Sequence, residues 1–477
     1  MSPARFRLAT LAADCGGRLS GADTDIARIH TDTRSLQPGD LFVALRGERF
    51  DGNRFAAQAL AEGAAAALVE REDALPAGAS GILVADARRA LGALARAHRR
   101  RISPVLLAVT GSNGKTTVKE MLATILRRVY GEALVLATEG NLNNDIGLPL
   151  TLLRLESRHR FAVCEMGMNH AGEIAHLCAI AGPDIVVVNN AGTAHLENLG
   201  SLEAIARAKG EIVEGLAVDG IAILPQTDRR LGLWQGIAGG RRMLRFGLDP
   251  AAEVSAEWQF DGRLTLSHAG DSASCRLALP GRHNAHNACA AAAAAIAAGV
   301  ALRDAVAALE GFGGTEGRLQ TRPGADGVTL IDDTYNANPD SVRAAIAVLA
   351  GCPRPRILVL GDMGELGPDG PALHREIGVA ARTAGLECLL ATGDLSRHAV
   401  AGFGDGGQHF GSHAGLIEAL RARTPPSATV LVKGSRFMHM EQVVEALAEA
   451  AAAPAAAKPG RGGVASRRIA CKEAACC

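Results

Sequence analysis

Aromatic residues are scarce in this sequence. Two tyrosines, two tryptophans and eleven phenylalanines amount to 3% of 477 residues. A core of this size must therefore be filled by Ala, Val, Leu and Ile, a mix that suits helices packed on parallel strands. Net charge is missing as well, because 50 Lys and Arg balance 50 Asp and Glu. That removes the basic excess that contacts with nucleic-acid phosphates require, and no nucleic-acid partner is expected. No apolar run reaches the roughly 20 residues that span a bilayer. The longest, Ala288 to Leu302, is mostly alanine, so no membrane insertion is expected. The ten cysteines include no CxxC pair, and Cys471, Cys476 and Cys477 stand at the end of the chain. This pattern points to reduced thiols and away from a zinc site or a disulfide framework. The opening MSPARFRLATLAADCGGR holds an apolar stretch too short for a secretory signal, interrupted by Asp14, and a cytoplasmic location is expected.

Periodicity is abundant. The length allows about three domains of ordinary size. In the first hundred residues GDLFVALRG and GILVAD read as strands, RFAAQALAEGA and ARRALGALARAHRR as helices. The basic HRRRISP, 98–104, reads as a boundary. PVLLAVT, FAVCEMG, PDIVVVNN and GIAILP then form nearly continuous apolar runs separated by helical patterns, the signature of a parallel sheet covered on both faces. Residues 241–280, with RMLRFGL and GRLTLSH, predict an antiparallel patch. HNACAAAAAAIAAG is a helix by its alanine content, and GFGGTEGR reads as a second linker. A second α/β alternation follows in GVTLIDD, RILVLGD, ECLLATG and TVLVKGS, with PDSVRAAIAVLAG and MEQVVEALAEAAAA as helices. From about Ala453 the composition predicts a disordered, basic tail.

The chemistry gathers around VLLAVTGSNGKTTVKEM, 105–121. The common G-x-x-x-x-G-K-[ST] pattern would need a glycine where Val109 stands. A buried strand nevertheless runs into the turn Gly111-Ser112-Asn113-Gly114 and on into a helix. Backbone N–H groups of such a turn and helix start converge on phosphate oxygens. Lys115 would reach the terminal phosphates, and the Thr116 hydroxyl would hold Mg²⁺. Glu165, ending FAVCEMG, supplies an acidic metal partner or else a solvated strand-end carboxylate. His195 follows the next strand, at the edge where ligands collect in open α/β sheets; it is either structural or, with Glu165 and Thr116, a ligand of a divalent ion. Lys209 in IARAKGEIVEG reads on its own as an exposed helical lysine. In GRHNAHNA, Asn284 and Asn287 could cap a helix or read an adenine edge. LIDDTYNANPDS ends a strand with Asp332 and Asp333 and then places Tyr335, Asn336 and Asn338, where capping by Asn338 or Asp340 and a ligand role are both open.

The ordered set TGSNGKTT, CEMGMNHAGEI, NNAGTAHLENLGS, AKGEI, GRHNAHN, EGRL, DDTYNANPDS, GDMGELG and VLVKGSRFMHMEQV resembles the Mur ligases, ATP-dependent amide-forming enzymes of peptidoglycan precursor synthesis. The resemblance runs from about residue 25 to 447 and is strongest to the branch that adds D-alanyl-D-alanine. It implies an α/β protein of three domains: a UDP-substrate domain over 1–102, a central P-loop ATPase over 103–314 with a parallel sheet plus a small antiparallel one, and a Rossmann-like domain over 315–452, before the tail 453–477. Transferred by this resemblance, Gly111 to Thr117 hold ATP, with Ser112, Asn113, Gly114, Lys115 and Thr116 at its phosphates. Thr116 and Glu165 take one Mg²⁺, and Glu165 with His195 a second. Lys209 becomes a carbamylated, metal-bridging group. Asn284 meets the adenine, Asn287 and Tyr335 also bind ATP, and Arg318 and Asp333 reach the nucleotide only when the third domain closes.

Thr33, Arg34, Asp51 and Gly52 correspond to the family's UDP-recognition loops, with Asn53 standing where a histidine is usual, and Asn141, Asn143 and Asn144 to a loop facing the muramoyl-peptide. The implied reaction passes the γ-phosphate of ATP to the carboxylate of UDP-MurNAc-tripeptide, and the amine of D-Ala-D-Ala then attacks the acyl phosphate. A monomer is expected. The competing readings are a sister ligase that adds the third peptide residue, a folylpolyglutamate synthetase, and, in a different class, a P-loop NTPase or kinase.

Overall fold

The computed structural model describes residues 5–48, 50–194 and 196–452. The predicted tail, with its three cysteines, lies outside the described residues, and so does His195. The seven described cysteines are free, and no described helix is long and apolar enough to cross a membrane.

Three α/β sheets follow one another along the chain. The first has five strands in the order Arg18–Ser20, Gly81–Leu83, Ala66–Val69, Asp40–Val43, Arg28–His30. All its pairs are parallel except the first. The second is the large central sheet of nine strands. Val105–Thr110 lies between Phe161–Glu165 and Ile185–Val188, parallel to both. The third has six strands, all parallel from Thr329–Asp333 onward, with Gln320–Pro323 antiparallel at one edge.

Strand alternation divides the central core. Leu106 and Ala108 face one cluster with Ala162, Cys164, Val186 and Val188. Leu107 and Val109 face the other, with Val163 and Val187. Side chains on both faces are apolar because helices cover both. The helix Arg282–Ala297 buries an unbroken row from Ala288 to Ala295 against the second face; methyl side chains let it approach closely, which is how so large a core forms with few aromatics. The first face is continuous with the core of the N-terminal sheet, since Leu41, Leu68, Leu91 and Leu94 belong to the same cluster.

One sequence expectation is refined and one corrected. The helix Ala87–Ile102 extends into the basic stretch 98–104 and stops at its C-cap Ser103, just before the strand Val105–Thr110. His98 bonds Leu155 O at 2.8 Å and Arg99 bonds Ala181 O at 2.8 Å, so this stretch is helical and tied to the residues that follow it. The antiparallel patch is also smaller than expected. RMLRFGL forms Arg242–Gly247, which pairs parallel with Ile221–Pro225, and only Val254–Trp258, Arg263–His268 and Asp271–Arg276 are joined antiparallel. The helix Leu231–Ala238 intervenes between 221–225 and 242–247, and a helical crossover imposes parallel pairing.

Candidate functional site

Parallel strands end together, and at their C-terminal edge the central sheet presents Gly111, Glu165 and Asn189 side by side. The helix Lys115–Tyr130 starts there, after Gly114 in a left-handed conformation (φ 79°). A Cβ on Gly114 would come within 2.4 Å of Asn287 Oδ1, so the turn needs glycine for both reasons. It is strapped to the neighbouring strand end. Asn113 N donates to Asn190 Oδ1 at 2.9 Å, Asn189 and Asn190 both donate to Asn113 O at 2.9 Å, and Gly192 N donates to Ser112 Oγ at 2.8 Å. Sequence reasoning passed over Asn189 and Asn190, although a polar pair closing the apolar run VVV was their signal.

The Thr116 hydroxyl donates to Glu165 Oε2 at 2.7 Å, and Asn143 Nδ2 donates to Glu165 Oε1 at 2.8 Å. Lys115 Nζ donates to Gly111 O at 2.7 Å. Burial lowers the Lys115 pKa, against the attraction of Glu165. Lys209, on the helix Leu202–Glu214, is buried, contrary to its isolated reading as an exposed lysine. Burial, and then the charge of Lys115, hold its amine well below the ordinary lysine range.

Residues of the third domain reach the same place. Arg318 Nη2 donates to Thr116 Oγ1 at 2.8 Å across 202 residues of sequence, and its guanidinium lies 4.1 Å from the centre of the Tyr335 ring. Asn338 Nδ2 donates to Asn113 Oδ1 at 2.8 Å, and Asp340 Oδ2 accepts from Thr193 N at 2.9 Å and Thr193 Oγ1 at 3.0 Å. Asn338 also caps the helix Pro339–Ala350; its Oδ1 does the capping and its Nδ2 the bridging. Asp333 is buried against Lys433, 2.6 Å away. Burial pushes its carboxyl up while Lys433 pulls it down. Lys433, at the end of TVLVK, is a site residue the sequence reading did not single out.

Arg318, Asp333, Tyr335, Asn338, Asp340 and Lys433 line a cleft of about 1480 Å³ together with Asn113, Lys115, Thr116, Glu165 and Thr193; Lys209 lies behind its wall and is not among the lining residues. Asn141, Asn143 and Asn144 line it too. Asn143 serves Glu165, however, and Asn144 Oδ1 accepts from Ile146 N at 3.2 Å and Gly147 N at 2.8 Å, where the next helix starts. Asn284 and Asn287 also face the cleft, but their amides bond mainly to protein: Asn284 Nδ2 donates to Pro280 O, and Asn287 Oδ1 accepts from Asn189. Beside them, burial drives His283 down to about 4, which keeps it neutral near pH 7. Thr33, Arg34, Asp51 and Gly52 are not brought to this cleft. Arg34 is exposed and paired with Asp32 at 2.6 Å. Asn53 is buried, its amide bonded to Asp51 and its Oδ1 to Glu70 N, so it has a structural task.

Three family models match the chain in order: "Mur ligase family, catalytic domain" over residues 25–99, "Mur ligase middle domain" over 109–295 and "Mur ligase, glutamate ligase domain" over 317–436. The UDP-N-acetylmuramoyl-tripeptide–D-alanyl-D-alanine ligase of Escherichia coli K12 is 43% identical over 449 residues, covering 93% of this chain and 98% of that protein. Its Bacillus subtilis counterpart is 36% identical, over 89% and 94%. Among solved structures, MurF from Acinetobacter baumannii superposes with a TM-score of 0.87 at 38% identity, over 94% of this chain and all of that one. MurF ligase from Thermotoga maritima in complex with ADP gives 0.80 at 29% identity, over 89% and 98%.

Proposed function

Since the chain belongs to the Mur ligase family, we propose that it joins D-alanyl-D-alanine to UDP-N-acetylmuramoyl-tripeptide with the turnover of ATP. The product is the UDP-MurNAc-pentapeptide of peptidoglycan precursor synthesis. Domain limits of 1–102, 103–314 and 315–452 fit this role, as does a cytoplasmic monomer serving wall growth, cell shape and division.

The observation that carries the mechanism is the bond from Arg318 to Thr116. It brings a third-domain cation to the phosphate loop, where charge develops during phosphoryl transfer. Lys115 and the N–H groups from Gly111 to Thr117 would hold the ATP phosphates. Arg318 and Lys433 would face the transferring group as the tripeptide carboxylate attacks it, forming the new C–O–P bond and releasing ADP. Attack by the dipeptide amine on the acyl carbon then expels phosphate, and the amine proton passes to it or to solvent. Closure of the third domain keeps water from the acyl phosphate.

Thr116 and Glu165 suit a magnesium ion, a hydroxyl and a carboxylate being hard oxygen donors. Bound there, it would supply charge neutralisation at the phosphates. Glu165 with His195 would take a second ion, joined by Lys209 once its neutral amine has added to CO₂ and lost a proton. Asn284 and Asn287 would flank the adenine, with Asp333 and Tyr335 on the other wall. Thr33, Arg34, Asp51 and Gly52 would bind the uridine end, and Asn141, Asn143 and Asn144 would face the peptide.

Mass spectrometry of the products from ATP, UDP-MurNAc-tripeptide and D-Ala-D-Ala tests the assignment. The pentapeptide is expected. Turnover only with a free amino acid or a folate, or phosphate release at full rate without any amine, would overturn it.

A further inference from the structure

Lys119 lies one helical turn beyond Lys115, yet it is fully buried, and the mechanism above does not use it. Burying an ammonium group costs several kcal/mol unless partners compensate. A methionine of the same length would fill the space without that cost. Its partners therefore matter. Lys119 Nζ donates to Thr138 O at 2.7 Å and pairs closely with Glu120. Thr138, 1% exposed, stands just past the end of the edge strand Val135–Ala137. Its N–H continues the ladder to Val163 O at 2.9 Å, and its hydroxyl accepts from Glu165 N at 3.0 Å.

These contacts close a ring. Thr116 donates to the Glu165 carboxylate, the Glu165 backbone donates to Thr138, and Thr138 accepts from Lys119, which sits three residues after Thr116 on the same helix. Without Lys119, nothing in this ring ties the helix that carries Thr116 to the strand edge that supports Glu165, apart from the Thr116–Glu165 bond itself. We propose that Lys119 is a positioning residue that acts through Thr138 to set Glu165 opposite Thr116 for the divalent cation. This rests on the reading of Thr116 and Glu165 as cation donors.

The test is calorimetric titration of the full chain with ADP, in EDTA and then with Mn²⁺. In K119M and in T138V, ADP binding in EDTA should match the wild type. The tightening that Mn²⁺ confers should shrink about tenfold or more, as for the loss of other groups that orient metal ligands. T138S, which keeps the hydroxyl, should restore it. T138V breaks only the link to Glu165 and keeps the Lys119 bond to Thr138 O, so it can overturn the relay whether or not K119M folds. Wild-type tightening in T138V, or an equal loss of ADP affinity in EDTA, would overturn the proposal while leaving the assigned reaction intact. Absence of Mn²⁺ tightening in the wild type would sink it together with the cation reading.

Discussion

Single residues here are interpreted by their surroundings more than by their type. Lys209 shows this best. As a letter in a helix it reads as a solvated cation, but burial and the charge of Lys115 depress its pKa, and a neutral amine is the form that adds CO₂. Replacement by Ala should abolish ligase activity, with partial recovery when a small carboxylic acid is supplied; wild-type rates in unsupplemented K209A would refute the carbamate. Glu165 was legible as the last residue of a parallel strand, because strand ends collect ligands. Its bond from Asn143 was not, since nothing local links positions 22 apart. Asn53, the departure from the family pattern, is accounted for by its own hydrogen bonds to Asp51 and Glu70.

At the scale of elements, the compact turn Gly111–Gly114 works because its backbone is held from outside, by Asn189, Asn190 and Gly192. Gly114 is its least replaceable position. A left-handed backbone costs a non-glycine residue about 1–2 kcal/mol, and the overlap of a Cβ with Asn287 and Asn189 adds to that. G114A should therefore weaken ADP binding at least about tenfold, measured by titration calorimetry; unchanged affinity would show that the turn relaxes freely. Strand existence was legible from apolar runs, whereas strand direction at Arg242–Gly247 was not. Period-two alternation is the same in parallel and antiparallel strands, and the crossover helix made the choice.

The whole molecule has two unequal seams. The N-terminal and central domains share one apolar cluster, but the third domain meets the phosphate loop through polar contacts from Arg318, Asn338 and Asp340. A polar seam can open and close in water at little cost, which suits the proposed closure. Removing the carboxylate that holds Thr193 should bias the chain toward the open form. D340A should enlarge the radius of gyration in solution scattering and lower kcat/KM for D-Ala-D-Ala by about tenfold, in keeping with the loss of charge-assisted hydrogen bonds. Unchanged scattering and rate would show that these bonds do not hold the closure.

By itself the sequence determined the α/β class, the glycine turn between strand and helix and the ordered motifs of a Mur ligase, because each of these is written in neighbouring residues: hydrophobic period, glycine placement, the lysine and threonine at a helix start. Tertiary structure alone decided that Arg318 meets Thr116, that Lys209 is buried, that Lys433 pairs with Asp333, and that Lys119 supports Glu165 through Thr138. Those contacts join groups far apart in the chain. Their geometry comes from which strands lie side by side and how domains dock, and no local pattern encodes it.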